Sequence, residues 1–147
     1  MKMRIAVVAC ISLAAVGAFR SSLRAQQTAP AASVWDGIYT EEQTKRGDPL
    51  YSQKCASCHG QDLTGGELAP ALTGAEFASN WSGLSIGDLF ERIRISMPQD
   101  NPGTLSRQQI ADILAFVLSK GGFPAGTTEL PREGEVLKQI RFEATKP

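Results

Sequence analysis

Residues 55–59 read Cys-Ala-Ser-Cys-His, and C-x-x-C-H is the attachment signature of a c-type haem. The spacing has a physical reason. One helical turn between the thiols lets both add to the two vinyl groups of a single porphyrin, and the adjacent imidazole then reaches the iron from the same face as proximal ligand. Other chemistries of these residues have less to work with. A structural zinc site needs four ligands, usually from two separated Cys/His pairs, and no second pair is present. A thioredoxin-like pair needs a βαβ setting that the sequence does not supply. A plain disulfide between Cys55 and Cys58 closes so small a loop that it stabilises little.

A haem iron held by His59 has a sixth position, and soft ligands are scarce. The chain has one His, three Cys and three Met, and Met1, Met3 and Cys10 all fall in the first ten residues. Met97 remains, thirty-eight residues after His59 and directly before Pro98. A lone Met is ordinarily core filler. Here it follows a helical stretch at the edge of a loop, where its thioether can turn toward iron; a vacant site or a lysine ligand are the alternatives. Filling both axial positions with His and Met raises the reduction potential and favours electron transfer over oxygen chemistry.

The elements that must position these residues are helical. Thr40-Glu41-Glu42-Gln43 has the capping-box pattern, but Pro49 would sit inside the helix it starts, so a kink or a fresh start at Asp48-Pro49 is expected before Cys55. Residues 60–84, with Gly65-Gly66, Ala69-Pro70-Ala71 and Gly74, show no sustained period and read as a long, mostly irregular loop. Ser85-Ile86-Gly87-Asp88 offers a second start, feeding Leu89, Phe90, Ile93 and Ile95 toward Met97. Ser106-Arg107-Gln108-Gln109 opens the clearest helix, with Ile110, Ile113, Leu114, Val117 and Leu118 on one stripe and Lys120-Gly121-Gly122 at its end. The tail, residues 124–147, contains Pro124, Pro131 and a short helix expected around Glu133 to Ile140. No repeat or alternating strand pattern appears, so the fold class is all-α, three to four helices with long loops. About ninety residues must then form a core from short helices, which is marginal without a staple, and a large apolar cofactor would fill the gap.

The N-terminus reads differently. A basic start, Met1 to Arg4, precedes a fifteen-residue, largely apolar stretch, Ile5 to Phe19, and Leu23-Arg24-Ala25 offers a small residue for cleavage. This is the pattern of a secretory signal peptide over residues 1–25; the rival reading is an uncleaved membrane anchor. Val7-Val8-Ala9-Cys10 resembles a lipoprotein box, but the apolar run continues past the cysteine, so Cys10 reads as part of the signal. Small polar residues 26–33 form an expected flexible lead-in to a body over 34–123, which Trp35 and Tyr39 open. The chain balances 15 basic against 15 acidic residues; four basic residues and no acids lie in 1–25, so the mature part carries about −4. No basic stripe supports nucleic-acid binding, and membrane contact is expected only if the signal is retained.

Taken in order, Arg46-Gly47, Leu50-Tyr51, Cys55 to Gly60, Pro70-Ala71-Leu72-Thr73-Gly74, Met97-Pro98 and the final helix are similar to a class I (mitochondrial-type) cytochrome c. The wider string from Trp35-Asp36-Gly37 through Asn80-Trp81 to Phe116 resembles monohaem cytochromes found with bacterial quinoprotein alcohol dehydrogenases. The resemblance spans residues 35–123 and implies a small cytochrome c fold around one haem c, covalent through Cys55 and Cys58. It also implies that the Pro70 carbonyl accepts a hydrogen bond from His59, that Leu72 packs on the porphyrin, that Gly47 lets the first helix cross the last near Phe116, and that Trp81 hydrogen-bonds a haem propionate or serves as plain core. The function so implied is that of a periplasmic single-electron carrier, not an enzyme. Its donor would be a periplasmic dehydrogenase, a quinoprotein by the resemblance, and its acceptor an oxidase or another cytochrome. A fixed subunit of a dehydrogenase complex, attached through the tail, is the second reading. A haem sensor or catalyst with a displaceable Met97 is the third.

Overall fold

The computed structural model describes residues 32–147; the signal sequence and residues 26–31 of the lead-in lie outside the described residues. The described chain is mainly helical. Its order is β1 (Ala32–Ser33), a 3-10 turn (Val34–Asp36), α1 (Glu41–Lys54), α2 (Ala56–His59), α3 (Gly74–Trp81), α4 (Ile86–Ser96), α5 (Arg107–Lys120), α6 (Gly134–Leu137) and β2 (Ile140–Arg141).

Three helices begin where the capping boxes stand. Thr40, Ser85 and Ser106 each accept a hydrogen bond from the backbone N–H three residues on, while the side chain of Gln43, Asp88 or Gln109 reaches back to the cap. The expected kink or restart at Pro49 is replaced by one continuous α1. Pro49 and Lys45 both lie on the exposed face of the helix, so the carbonyl that loses its amide partner there is open to water.

The frame of the molecule is the crossing of α1 and α5. A Cβ on Gly47 would stand 2.0 Å from the Asp112 carbonyl oxygen and 2.9 Å from Phe116 Cβ, so the two backbones meet at a distance only glycine permits. Tyr51 stacks on Phe116 with ring centroids 5.2 Å apart. Every residue of α5 from Ile110 to Leu118 is buried, which goes beyond a one-sided stripe. Asp112 is among them, and Arg46 meets its carboxylate through two hydrogen bonds, 3.0 and 2.9 Å, the geometry a buried carboxylate requires.

Two regions depart from expectation. Residues 74–81, read as loop, form α3. The tail is folded onto the body: Leu130, Leu137, Ile140 and Phe142 are buried, and the Gln43 amide accepts from the Leu130 N–H (2.6 Å) and donates to its C=O (3.0 Å). Ala32 and Ser33, placed in the flexible lead-in, instead pair in parallel with Ile140 and Arg141. The two ends of the described chain are therefore joined by backbone hydrogen bonds, which a lead-in with nothing to bury does not anticipate. A single helical turn, α6, falls within the 133–140 stretch. No helix among the described residues is long and apolar enough to cross a membrane.

Candidate functional site

The end of α1 leads directly into the motif. Cys55 caps α1, and the N–H groups of Cys58 and His59 both donate to its carbonyl (3.1 and 3.0 Å), so the two cysteines share one turn. Tyr51 fastens that turn to α1: its hydroxyl donates to the Gly60 carbonyl at 2.6 Å. Burial, and then the neighbouring Cys55, pushes the Tyr51 phenol up to about 12, so it remains a donor across the ordinary pH range. Burial, and then Cys58, likewise pushes the Cys55 thiol up to about 11; it is half-buried and protonated at neutral pH, whereas Cys58 is exposed.

The loop after the motif turns back on it. Gly65 N–H donates to the His59 carbonyl, Gly66 N–H to Ala69 and Leu72 N–H to Leu63. The result is to bring the Pro70 carbonyl to His59, whose Nδ1–H donates to it at 2.8 Å. His59 is only 7% exposed, so this bond satisfies one ring nitrogen, fixes the ring's tautomer and leaves Nε2 as the free donor toward a metal. Gly65 makes the turn geometrically feasible: its φ is +71°, and a Cβ would stand 2.4 Å from Ala71 N and 2.6 Å from Pro70 C. Sequence reading treated Gly65 only as loop; the adjacent pair Gly65-Gly66 was the available signal.

All seven residues singled out in the sequence, Cys55, Cys58, His59, Pro70, Leu72, Trp81 and Met97, line one cleft. Met97 caps the C-terminus of α4 in an extended conformation and lines the same cleft. Leu89 and Ile93 of α4 and Ile113, Leu114 and Val117 of α5 supply apolar walls. Phe77 of α3, which sequence reading missed with the helix itself, stands in the wall beside Trp81, ring centroids 6.3 Å apart. Lys54, Glu76, Arg92 and Asp100 add charge of both signs at the rim.

This donor set fits a porphyrin held by thioethers. Two thiols share one turn, an imidazole has one nitrogen free, a thioether stands in the same cleft, and apolar side chains such as Leu72, Trp81 and Ile93 are left only partly buried. A zinc centre fits poorly, since no group of three His, Cys, Asp or Glu side chains among the described residues could hold a metal ion.

A family match agrees with that chemistry. The protein-family profile described as "Cytochrome C oxidase, cbb3-type, subunit III" matches residues 42–117, which takes in α1, the C-x-x-C-H turn, Met97 and most of α5. No curated protein matches. Among solved structures, the sulfane dehydrogenase SoxCD from Paracoccus pantotrophus is similar with a TM-score of 0.49 and 23% identity, over 74% of this chain and 61% of that one; the chain therefore spans less than two thirds of its length.

Proposed function

Because the chain belongs to the cytochrome c family described as cytochrome c oxidase, cbb3-type, subunit III, a family of haem-based electron-transfer proteins with covalently bound haem, we propose that it is an exported carrier of single electrons. Cys55 and Cys58 would hold one haem c, with His59 and Met97 supplying the ligands to its iron. The observation that carries this reading is the convergence of both thiols, the Pro70-anchored His59 ring and Met97 on a single apolar cleft.

The bound haem would supply the one-electron chemistry between ferrous and ferric iron. The chain's part is to hold and tune it. His59, with Nδ1–H committed to Pro70, presents Nε2 in one orientation and with increased basicity. Met97, in the same cleft, would hold the remaining iron position and deny it to oxygen. Leu72, Phe77, Ile93 and the α5 residues exclude water, so a change of charge at the iron is met by a fixed environment. Trp81 lies in the wall, where its indole N–H suits a haem propionate. Cys58, exposed at the mouth of the cleft, would hold an edge of the group near the surface, where electrons could cross.

Export rests on the signal pattern of residues 1–25, and a periplasmic location follows from it. The donor is proposed to be a periplasmic dehydrogenase, in keeping with the class I, quinoprotein-associated resemblance, and the acceptor an oxidase or another cytochrome, met through weak, transient interfaces. The tail has little to offer as an attachment to a larger complex: its apolar residues Leu130, Leu137, Ile140 and Phe142 are used in this chain's own core, and Val136 is its large apolar side chain left exposed.

Optical spectra of the matured protein in both redox states test the ligand assignment. Sharp low-spin bands are expected, with the weak long-wavelength band of a methionine sulfur bound to ferric iron. Met97→Ala should abolish that band and let the ferrous protein bind carbon monoxide; a wild-type protein that is already high-spin would refute the assignment.

A further inference from the structure

The segment Ile140–Ala144 lies beyond the family match, yet it is bonded to the turn that follows the wall of the cleft. Phe142 N–H donates to the Leu84 carbonyl (2.8 Å) and the Gly83 N–H donates to the Phe142 carbonyl (2.9 Å). Arg141 donates through Nη2 to the Gly83 carbonyl (3.2 Å), and Ala144 N–H reaches Ser82 Oγ (3.4 Å). The stretch so held, Ser82 to Leu84, follows immediately on α3 and Trp81. Between these bonds the Phe142 ring, fully buried, meets Phe77 edge-on at 5.8 Å and Phe123 at 5.2 Å. Phe77 in turn packs beside Trp81, and both line the cleft. The back of the segment is anchored too: β2 pairs with β1, and Trp35 Nε1–H donates to the Glu143 carbonyl (3.0 Å).

We infer that Phe142 is a positioning residue for the haem site, buttressing the Phe77–Trp81 wall so that the cleft stays closed and Met97 stays on the iron. The inference rests on the ligation proposed above. Its physical basis is that α3 is a poor helix to stand alone. It has eight residues, begins at a glycine with no side-chain cap, and buries one side chain, Phe77. A helix this short depends on tertiary packing, and the ring behind Phe77 is supplied by Phe142. Removing it opens a void directly behind the wall, and the wall can relax into that void and away from the cofactor.

The test uses the full-length, haem-loaded protein and cyanide as a probe of how readily Met97 leaves ferric iron. Phe142→Ala should bind cyanide about tenfold faster than wild type, and Phe142→Leu, which keeps apolar volume and folds if the alanine variant does not, about threefold faster. The reduction potential should fall with both, since water entering the cleft favours the ferric charge. Leu130→Ala, equally buried in the tail but held by Gln43 on α1, should lower thermal stability while leaving cyanide binding within about twofold of wild type. Wild-type cyanide kinetics in the Phe142 variants, or equal acceleration by Leu130→Ala, would overturn the buttress and leave the ligation standing. A wild-type protein without the methionine-to-iron band would overturn both.

Discussion

The α1–α5 crossing and the α3–α4 wall of the cleft are built from similar side chains but finished in different ways. At the crossing the protein completes its own packing. Gly47 removes the last obstacle between backbones, Tyr51, Ile110, Leu114 and Leu118 are fully buried, and the one charge inside, Asp112, is matched by Arg46. Across the cleft, Leu72, Trp81 and Ile93 are only partly buried, and Leu68 at the rim is 77% exposed. Apolar residues gathered around a hollow leave favourable transfer free energy unrealised. The difference separates a scaffold that folds on its own packing from a surface whose packing partner is a cofactor.

The strongest way to break this contrast is to withhold the cofactor. A chain carrying Cys55→Ala and Cys58→Ala cannot attach haem, and about 5 kcal/mol or more of stability should be lost, most of what a domain of this size has. The loss should be uneven. In amide hydrogen exchange, residues 60–98 should exchange almost as an unfolded chain does, while the middle of α5 keeps measurable protection. A variant with the thermal midpoint of the loaded protein would mean that the wall supports itself.

The converse change strikes the scaffold. Gly47→Ala introduces a methyl where no space exists, against backbone that cannot move without parting the helices, and about 3 kcal/mol of stability should be lost in chemical denaturation of the loaded protein. The methionine-to-iron band should nonetheless survive in the folded fraction, since Met97 and His59 lie on other segments. Loss of the band together with stability would show the two regions to be one cooperative unit at the site itself.

Local features were far more legible in the sequence than distant contacts, for reasons of range. Capping boxes at Thr40, Ser85 and Ser106 and the Ile110 to Leu118 stripe are local patterns, complete within a few residues, and each marks a helix in the structure. The C-x-x-C-H turn is equally local. Gly47, by contrast, was reached only through family resemblance, since nothing nearby says that Asp112 will pass beside it. Residues 74–81 are small or polar apart from Phe77 and Trp81, which is too little for a helical period, and their reason to be helical lies at Phe142. The tail's short helix was legible, but its packing onto the body was hidden for the same cause. Leu130, Leu137, Ile140 and Phe142 follow no period because each answers a distant partner, as Leu130 does Gln43. Gln43 also shows how a correct local reading can be incomplete: its amide oxygen accepts from Thr40 N–H at 3.4 Å and from Leu130 N–H at 2.6 Å, so the longer-range bond is the shorter one.

The smallest effect lies where the two regions meet, at the start of α4, the helix that carries Leu89 and Ile93 to the cleft and ends at Met97. Asp88 accepts from the Ser85 N–H at 2.9 Å and the Ser85 hydroxyl at 2.7 Å. The backbone hydrogen bond first, and then the hydroxyl, hold its carboxyl below the usual value. A carboxylate favoured in the folded state contributes stability above its unfolded pKa and loses that contribution as pH falls through the lower folded value. Asp88→Ala should therefore cost about 0.5 kcal/mol near neutral pH, a modest sum because the group is exposed and solvent-screened. The gap between variant and wild type should begin to narrow below about pH 4 and close under stronger acid. Denaturation curves at several pH values measure it. A pH-independent gap would assign the effect to helix propensity rather than to the charged cap. An acceleration of cyanide binding as large as that of Phe142→Ala would mean that α4 itself, not the wall behind α3, governs whether Met97 stays on the iron.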